Sequence, residues 1–382
     1  MFVAYCDGEP FYAPHIIDRD LKLTSAKITY EINKAGSFEY TIPPINKNYN
    51  IFKKLKSIIT VEENGKEIWR GRVLDSRRDF YNNKKMTCEG ELAFLNDGLA
   101  RPYDYSDGVT VQDMFAYYNR YYTDNGTPER LIYFGNITAV SPSKKVYIKS
   151  DTWIVILDDL LDNLVNKLGG LLTFRETDGK RYLDWINPTD NISDQIIEFG
   201  RNLINFEEYI DASKIYTYEI PLGKVPEGEE TRINIMSVND GFPHVQSEAG
   251  MSLYGRIEKL TVFDDIDDPN LLKTTAQEDV NNAINEAVTI EIRAVDLKDL
   301  GVNPNRIKIG QYVRVISKPH NVDSYFLCSK IELDLLNAGN SVYTFGTSES
   351  SLIDSQIATN KISMRAYNIA TGENQYIIDS GV

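Results

Sequence analysis

The side chains that most often carry catalysis are few and far apart in this 382-residue sequence. The histidines and cysteines are His15, His244, His320, Cys6, Cys88 and Cys328. A zinc peptidase needs histidines about one helical turn apart beside a glutamate, and a cysteine peptidase needs a thiolate paired with a histidine. The spacing favours neither site, and three isolated cysteines indicate reduced, apolar side chains rather than disulfides. We therefore expect no catalytic residue, no cofactor and no enzymatic activity.

Carboxylates are abundant, with 56 Asp and Glu against 41 Lys and Arg. Glu89 and Glu91 lie two positions apart, which places them on one face of a strand, and a glycosidase requires two carboxylates at a suitable separation. Chance pairs are inevitable among so many acids. A solvated strand face is therefore the simpler interpretation of this pair.

The densest acidic cluster is a weak candidate for a metal site. It consists of Asp264, Asp265, Asp267 and Asp268. Carboxylates this close could hold Ca²⁺, but the run lacks the glycine and the terminal glutamate of a calcium loop. Because Pro269-Asn270 follows, we predict instead that the acids lie at the positive N-terminal end of a helix, and we expect no metal.

Six glycines are predicted to have structural roles at the ends of strands and helices. They are Gly90, Gly169, Gly170, Gly200, Gly223 and Gly310. The Gly169-Gly170 pair supplies the positive φ that ends a helix and turns the chain directly into a strand. The other four are predicted at strand ends or bulges.

The composition indicates a globular, β-rich protein, because 24 Tyr and 15 Phe are many and aromatic side chains favour strands. The net charge of −15 opposes a static grip on a phosphate backbone. It suits solubility, and also a surface past which DNA moves without adhering. The opening MFVAYCDGEP has no basic segment and no sustained apolar stretch follows, so we predict neither a signal peptide nor a membrane span.

Strand and helix signals alternate along the chain. Hairpins are predicted at Asp7-Gly8, Asn64-Gly65 and Asp178-Gly179. Helices are predicted after Thr110, over Thr152 to Leu168, and over Asn270 to Ala287. The core side of the first helix is Val111, Met114, Phe115, Tyr118 and Tyr122, and that of the last is Leu271, Ala276, Val280, Ala283, Ile284 and Ala287.

One succession of elements occurs twice. Residues 58–90 and 312–346 each predict a strand, a turn, a long strand, an Asn-containing turn and a strand. Duplication and chance similarity of two β-meanders explain this pattern about equally well. We predict a β-rich α+β multidomain fold with five parts: a first β-barrel (1–97), an α+β lobe (98–204), a second β-barrel (205–222 with 288–349), a small inserted lobe with a helix (223–287), and a C-terminal helix or tail (350–382).

Several spaced stretches resemble phage minor tail proteins of the tail-associated lysin, or prophage endopeptidase tail, family, and the hub of contractile-tail baseplates. They are LGGLLTFRETDGKRYLDWI (168–186), IIEFGRNLINFEEYIDASKIYTYEIPLGK (196–224), INIMSVNDG (233–241), YGRIEKLTVFDDIDDPNLL (254–272), IKIGQYVRVIS (307–317), WRGRVLD (69–75) and CEGELAFLND (88–97). The resemblance covers residues from about 25 to 350.

The resemblance implies a structural hub at the tip of a virion tail, assembled in a bacterial cytoplasm. Two tail-tube-like β-barrels per chain would give six in a homotrimer, which could dock against a sixfold tube. The implied partners are the distal tail protein ring, the tape-measure protein and receptor-binding or spike proteins, with DNA only in transit. Hydrolytic activity in the family belongs to appended domains, and the segment 350–382 is too short for one. The alternative is a cell-wall hydrolase or a carbohydrate-binding tail-tip protein.

Overall fold

The computed structural model describes residues 1–346 except 15–19, 124–127, 189–190, 211–212, 214, 227, 265, 287, 299–300, 302–304 and 321. The described chain forms two compact units, residues 1–206 with 292–346, and residues 207–291. The second unit is therefore inserted into the first along the chain. His15, Asp265 and the predicted C-terminal segment 350–382 lie outside the described residues.

The first seven strands form tight antiparallel hairpins. They are β1 (Phe2–Cys6), β2 (Glu9–Tyr12), β3 (Ser25–Glu31), β4 (Ser37–Ile42), β5 (Ile58–Glu63), β6 (Lys66–Arg78) and β7 (Lys84–Gly90). Positive φ angles at Asp7 and Gly8, and at Asn64 and Gly65, make the two-residue turns that match the twist of the flanking strands. The predicted hairpins at both turns are confirmed.

A lobe of mixed helices and short strands follows a 3₁₀ helix at Glu91–Asp97. Its elements are β8 (Leu99–Ala100), β9 (Tyr103–Thr110), α1 (Val111–Thr123), β10 (Tyr133–Ile137), β11 (Lys145–Ser150), β12 (Ile154–Val155), α2 (Ile156–Leu160), a π-helical turn (Leu161–Val165), α3 (Asn166–Leu168), β13 (Leu171–Thr177) and β14 (Lys180–Ile186). The helical run starts four residues later than predicted, because Ile154–Val155 pairs with β8 instead.

Helix α1 begins with the predicted cap. The Asp113 amide donates to the Thr110 hydroxyl at 3.1 Å, and that hydroxyl donates to the Asp113 carboxylate at 2.6 Å. All five predicted core residues of α1 are buried against the lobe's apolar cluster, which includes Leu160, Leu164 and Trp185. The amphipathic prediction for this helix is confirmed.

At two of the predicted glycine positions, neighbouring atoms lie so close that a side chain would not fit. A Cβ on Gly90 would lie 1.9 Å from the Ala35 carbonyl oxygen, and one on Gly170 would lie 2.3 Å from Trp185 Nε1. Gly170 also has a φ of +97°, and the neighbouring Gly169 carbonyl accepts a 2.8 Å hydrogen bond from Trp185. Gly200 lies after the strand Ile192–Glu198, Gly223 directly follows the strand Tyr218–Leu222, and Gly310 precedes the strand Tyr312–Ser317.

The rest of the chain completes the large sheet and builds the inserted unit. Its elements are β15 (Ile192–Glu198), β16 (Leu203–Ile210), β17 (Tyr218–Leu222), β18 (Val245–Gln246), α4 (Glu248–Tyr254), β19 (Glu258–Val262), α5 (Pro269–Glu286), β20 (Val288–Ala294), β21 (Tyr312–Ser317), β22 (Val322–Asp334) and β23 (Val342–Gly346). None of the helices in the described part of the chain has the length and apolar character that a membrane crossing requires.

The predicted repeat appears as two similar meanders, β5-β6-β7 and β21-β22-β23. The central strands β6 and β22 both have 13 residues. Each pairs with the preceding strand along its first half and with the following strand along its second half. The meanders share one 13-stranded sheet, in which β22 pairs with β3 from Lys330↔Glu31 to Asp334↔Lys27.

The β-rich α+β fold class is confirmed, but the two barrels are not. Within the described ranges the strands form five sheets, and none of them closes on itself. The 13-stranded sheet runs as an open path from β16 to β2. The five-part domain division stays a prediction.

Helix α5 corrects one predicted core position in the inserted unit. Leu272, Ala276, Val280 and Ala283 are buried, whereas Leu271 is 50% exposed. Since the buried set follows i, i+4 and i+3 steps, Leu271 lies about 100° away from it around the helix. Ala287 lies outside the described residues.

Within the first unit, Glu63 joins the first meander to the segment that precedes β21 through partly buried charges. Its carboxylate, at the end of β5, lies 2.8 Å from Lys298 Nζ and 3.0 Å from an Arg306 nitrogen. The buried carboxylate of Asp296 accepts bonds from the amides of Lys298 and Ile307 at 2.7 Å, so the backbone next to both cations is fixed. Burial alone would raise the pKa of Glu63, but Arg306 and Lys298 outweigh it and hold the pKa below its ordinary value.

Glu63→Gln should lower the free energy of unfolding by roughly 2–4 kcal/mol at pH 7, because it leaves two partly buried cations without their counter-charge. The pKa of Glu63 is depressed in the fold, so its contribution is present above about pH 4.5 and is lost as the pH falls further. Urea unfolding at pH 7 and pH 3.5 measures both effects. Glu39→Gln, which removes an exposed pair with Lys85, is the control. Equal losses in the two variants would contradict the prediction.

Within the inserted unit, Glu219 is a fully buried acid on β17. Burial, the nearby carboxylate of Asp279 and a contact with it raise the pKa of Glu219 to about 7, while the Thr261 hydroxyl and the Lys259 charge oppose the rise. Asp279 itself accepts a 2.7 Å hydrogen bond from the Tyr216 hydroxyl. The fold therefore favours a protonated Glu219.

Glu219→Gln should raise the free energy of unfolding at pH 8 by roughly 1–3 kcal/mol, because glutamine mimics the protonated acid without the cost of a buried charge. The raised pKa means that wild-type stability is fully present below about pH 4.5 and falls as the pH rises through 7, so the gain should vanish at pH 4. Urea unfolding at both pH values tests this, with the exposed Glu278→Gln as control. A loss of stability at pH 8 would contradict it.

Candidate functional site: a charged cleft

A cleft of about 670 Å³ lies within the first unit. The β3–β4 turn, the start of β6 and β13 line this cleft. The charged residues that line it are Glu31, Lys34, Lys66, Glu67, Arg70, Glu91, Glu176 and Arg181. The cleft therefore lies where the first meander meets the β13-β14 hairpin.

Arg181 lies at the centre of this charge network. Its guanidinium contacts Glu67 at 2.9 Å, Glu91 at 2.5 Å and Glu176 at 3.1 Å. Arg70 adds a second cation 3.6 Å from Glu67. A planar guanidinium presents five donors, so one arginine can bind three carboxylates from three different elements.

Glu91 is the acid in this cleft with the most perturbed ionisation. Burial raises its pKa to about 7, and the charge and hydrogen bonds of Arg181 oppose that rise. Such a pKa would suit proton transfer at neutral pH. Both oxygens, however, are hydrogen-bonded to Arg181, at 3.0 Å and 2.5 Å. The arrangement therefore acts as an ionic clamp between the hairpin and the meander.

The interpretation of Glu89 and Glu91 as a solvated pair on one strand face is wrong. Strand β7 ends at Gly90, and Glu91 begins the 3₁₀ helix, so the two carboxylates separate. Glu89 binds Arg72 at 2.6 Å, and Glu91 binds Arg181. Each acid has its own arginine, which is not the arrangement of a glycosidase pair.

Asp264 and Asp268 of the acidic cluster have structural partners. Asp264 pairs with Arg232 at 2.5 Å, and Asp268 accepts a 2.8 Å bond from the Asn270 amide at the start of α5. The latter is the helix cap that the sequence predicts. No group of three or more metal-ligating side chains suited to an ion occurs among the described residues.

The described histidines and cysteines have packing roles. Ser317 Oγ lies 2.6 Å from His320 Nδ1, but Ser317 is fully buried and so inaccessible to a substrate. His320 stacks on Phe206, and His244 stacks on Tyr218. All three cysteines are free and buried, as the sequence predicts, and burial raises the pKa of the Cys6 thiol to about 11.

Sequence reasoning did not identify the cleft. Arg181 lies 90 residues from Glu91 and 114 from Glu67, so no local spacing connects them. The sequence shows only the alternation of side chains along β14. That alternation indicates which residues share a face of the strand, but not which residues of another element they contact.

Arg181→Met should lower the free energy of unfolding by roughly 2–4 kcal/mol at pH 8, because three carboxylates lose their shared cation and one of them, Glu176, is mostly exposed and screened. The loss should be smaller at pH 6, since protonation of Glu91 removes part of the uncompensated charge. Urea unfolding at both pH values measures this. Arg77→Met, at a position 87% exposed, should change stability by less than about 0.5 kcal/mol. A pH-independent loss would contradict the clamp.

Comparisons with known proteins place this fold among tail proteins. Residues 191–356 match the family described as Prophage endopeptidase tail. The 43 kDa tail protein of prophage MuSo2 from Shewanella oneidensis is similar with a TM-score of 0.63 at 14% identity, over 93% of this chain and 99% of that one. The tail protein from Neisseria meningitidis MC58 has a TM-score of 0.62 at 14% identity, with the same coverage.

A third structure, prophage tail protein gp18 from Listeria monocytogenes EGD-e, has a TM-score of 0.60 at 13% identity, over 95% of this chain and 99% of that one. None of the curated proteins compared matches the sequence significantly. The family match and the shared fold confirm the resemblance that the sequence predicts: the chain has the fold of prophage tail proteins, and its residues 191–356 match the prophage endopeptidase tail family.

Proposed function

We propose that the chain is a structural hub at the tip of a phage or phage-like tail, where a homotrimer caps the tail tube and rearranges to let DNA pass. The repeated meander carries this proposal. Two similar three-stranded units with 13-residue central strands occur in one chain. Three chains would present six such units, which is the number needed to match a sixfold tube above a threefold tip.

The same proposal covers the barrels and the positions of the partner proteins. Each meander would contribute to one tail-tube-like barrel, with closure completed in the assembly. The distal tail protein ring would bind above, receptor-binding or spike proteins below, and the tape-measure protein inside. A net charge of −15 would keep DNA in transit from adhering to the lumen.

A mechanical role is proposed in preference to hydrolysis. The family name contains the word endopeptidase. The one serine–histidine contact described above supplies no accessible nucleophile, because Ser317 is fully buried. The charged cleft holds its acids in arginine pairs, which leaves no free carboxylate for general acid–base work at Glu91.

Light scattering of the purified chain should give a mass of about 130 kDa, three times the 43.5 kDa of one chain. Negative-stain images of the same sample should show threefold rings. Purified cell-wall sacculi incubated with the protein should keep their turbidity.

A strict monomer across a concentration series, and again after addition of the distal tail protein, would overturn the hub. Loss of sacculus turbidity would instead establish a hydrolase. A ring with intact sacculi would support the proposed function on both counts.

A further inference from the structure

The β6–β7 hairpin of the first unit ends in two exposed aromatic rings. Phe80 is 92% exposed and Tyr81 is 74% exposed, and both lie in the loop 79–83 that joins the two strands. The rings meet edge to face with their centres 5.3 Å apart. Phenylalanine is among the residues most often buried, and adjacent exposed apolar groups are a feature of interaction surfaces. We name residues 77–85 the aromatic tip.

Hydrogen bonds fix the loop that carries these rings. The Asp79 carboxylate accepts bonds from the backbone amide and the side-chain amide of Asn83, both at 2.8 Å. The Asn82 amide donates to the Asp79 carbonyl at 3.1 Å, and Asn82 has a φ of +62°. Because the loop is closed before any partner arrives, binding through Phe80 and Tyr81 would cost little backbone entropy.

Four cations form a collar directly behind the rings. In the register of the hairpin, Arg77 lies opposite Lys85 and Arg78 lies opposite Lys84. Like charges directly opposite each other on two strands are destabilising. With Asp79 as its one acid, the aromatic tip carries a net charge of +3 in a chain whose net charge is −15. The sequence therefore concentrates positive charge where the local structure disfavours it.

Two cations of the collar are open to an anionic partner. The Arg77 side chain is 87% exposed, and Asp75, which lies 4.0 Å from it, pairs more closely with Lys54 at 3.2 Å. Arg78 is exposed as well. Two guanidinium groups next to the rings can therefore bind an anion from outside the chain.

The other two cations of the collar are held by the fold. Lys85 pairs with Glu39 at 2.9 Å, and the Lys84 ammonium donates to the Tyr49 carbonyl at 2.9 Å. Burial and the charge of Arg78 lower the pKa of Lys84. The fold therefore leaves part of the repulsion within the collar in place, and an anionic partner would relieve it.

The shape of the aromatic tip selects among anionic partners. A single strand of nucleic acid binds in a positively charged groove with its bases stacked on aromatic faces. The tip is instead the end of a hairpin, and its two rings stand at 87° to each other, so they offer no shared stacking plane. A bilayer interface accepts a protruding apolar end without a complementary pocket, and aromatic and cationic side chains are enriched there.

We propose that the aromatic tip binds the surface of a bilayer that contains anionic phospholipids. Phe80 and Tyr81 would enter the boundary between headgroups and acyl chains, where interfacial anchors lie about 5–10 Å deep. Arg77 and Arg78 follow within about 10 Å along the strand, at ~3.3 Å per residue, so their guanidinium groups would meet the lipid phosphates. Repulsion from the acidic remainder of the chain is screened beyond ~8 Å at physiological salt.

Sedimentation of the full chain with vesicles tests this proposal. Wild type should bind vesicles of phosphatidylglycerol and phosphatidylethanolamine at least about tenfold more tightly than vesicles of phosphatidylcholine alone. The double variant Phe80→Ser with Tyr81→Ser should bind the anionic vesicles about tenfold or more weakly, because it loses the apolar anchor. Arg77→Gln with Arg78→Gln should weaken binding by a similar factor. All four side chains are exposed, so both variants should unfold at the urea concentration of wild type.

Matched controls separate the aromatic tip from the general composition. Lys144→Gln with Lys145→Gln removes the same charge at two exposed positions of the lobe, and Tyr147→Ser removes a ring that is 58% exposed. Both should bind within about twofold of wild type. Because the three native cysteines are buried, Phe80→Cys can be labelled selectively with an environment-sensitive fluorophore, whose emission should rise on addition of anionic vesicles. A label at Lys145→Cys should not respond.

Absence of binding to the anionic vesicles would overturn the proposal, as would binding that the Phe80 and Tyr81 double variant retains. Salt-dependent self-association that this variant loses, with no vesicle binding by wild type, would reassign the tip to a second copy of the chain. The mass and sacculus measurements contain no lipid vesicles, so failure here leaves the hub proposal standing.

Discussion

The carboxylate of Glu63 joins two parts of the first unit that are far apart in the sequence. A buried acid is tolerated only when cations and donors neutralise it, and here Lys298 and Arg306 come from the far end of the sequence. Arg306 also contacts the hydroxyl of Tyr343 on β23. The ion pairs of Glu63 and the pairing of β3 with β22 therefore both join residues from the two ends of the chain within the first unit.

A second network of ion pairs joins the lobe to the first meander, and its central group is a cation instead of an acid. At Glu63 one acid binds two cations, whereas in the charged cleft one cation, Arg181, binds three acids. Both arrangements fix a junction between elements rather than a reacting group. In the inserted unit, burial and the nearby carboxylate of Asp279 raise the pKa of Glu219 to about 7, although the charge of Lys259 opposes the rise.

Local structure was predictable from the sequence because its causes are local. The Asp7-Gly8 turn and the cap between Thr110 and Asp113 depend on residues that are neighbours along the chain. The core face of α5 was predicted wrongly at Leu271, because its neighbour Leu272 is equally apolar and only packing against β17 and β18 selects between them. The charged cleft depends on tertiary contacts that sequence spacing cannot reveal, such as the one between Arg181 and Glu91.

Strands β16 and β20 are neighbours in the large sheet, and the chain passes into the inserted unit after residue 206 and returns by residue 292. The insertion thus leaves and re-enters the sheet at adjacent points, so its two ends need only a short span whatever lies between them. Because β16 ends at Ile210 and β20 begins at Val288, a segment exchanged between these two strands would leave every contact of Glu63 and Arg181 described above in place. An exchange limited to the residues between these strands would leave the large sheet unchanged.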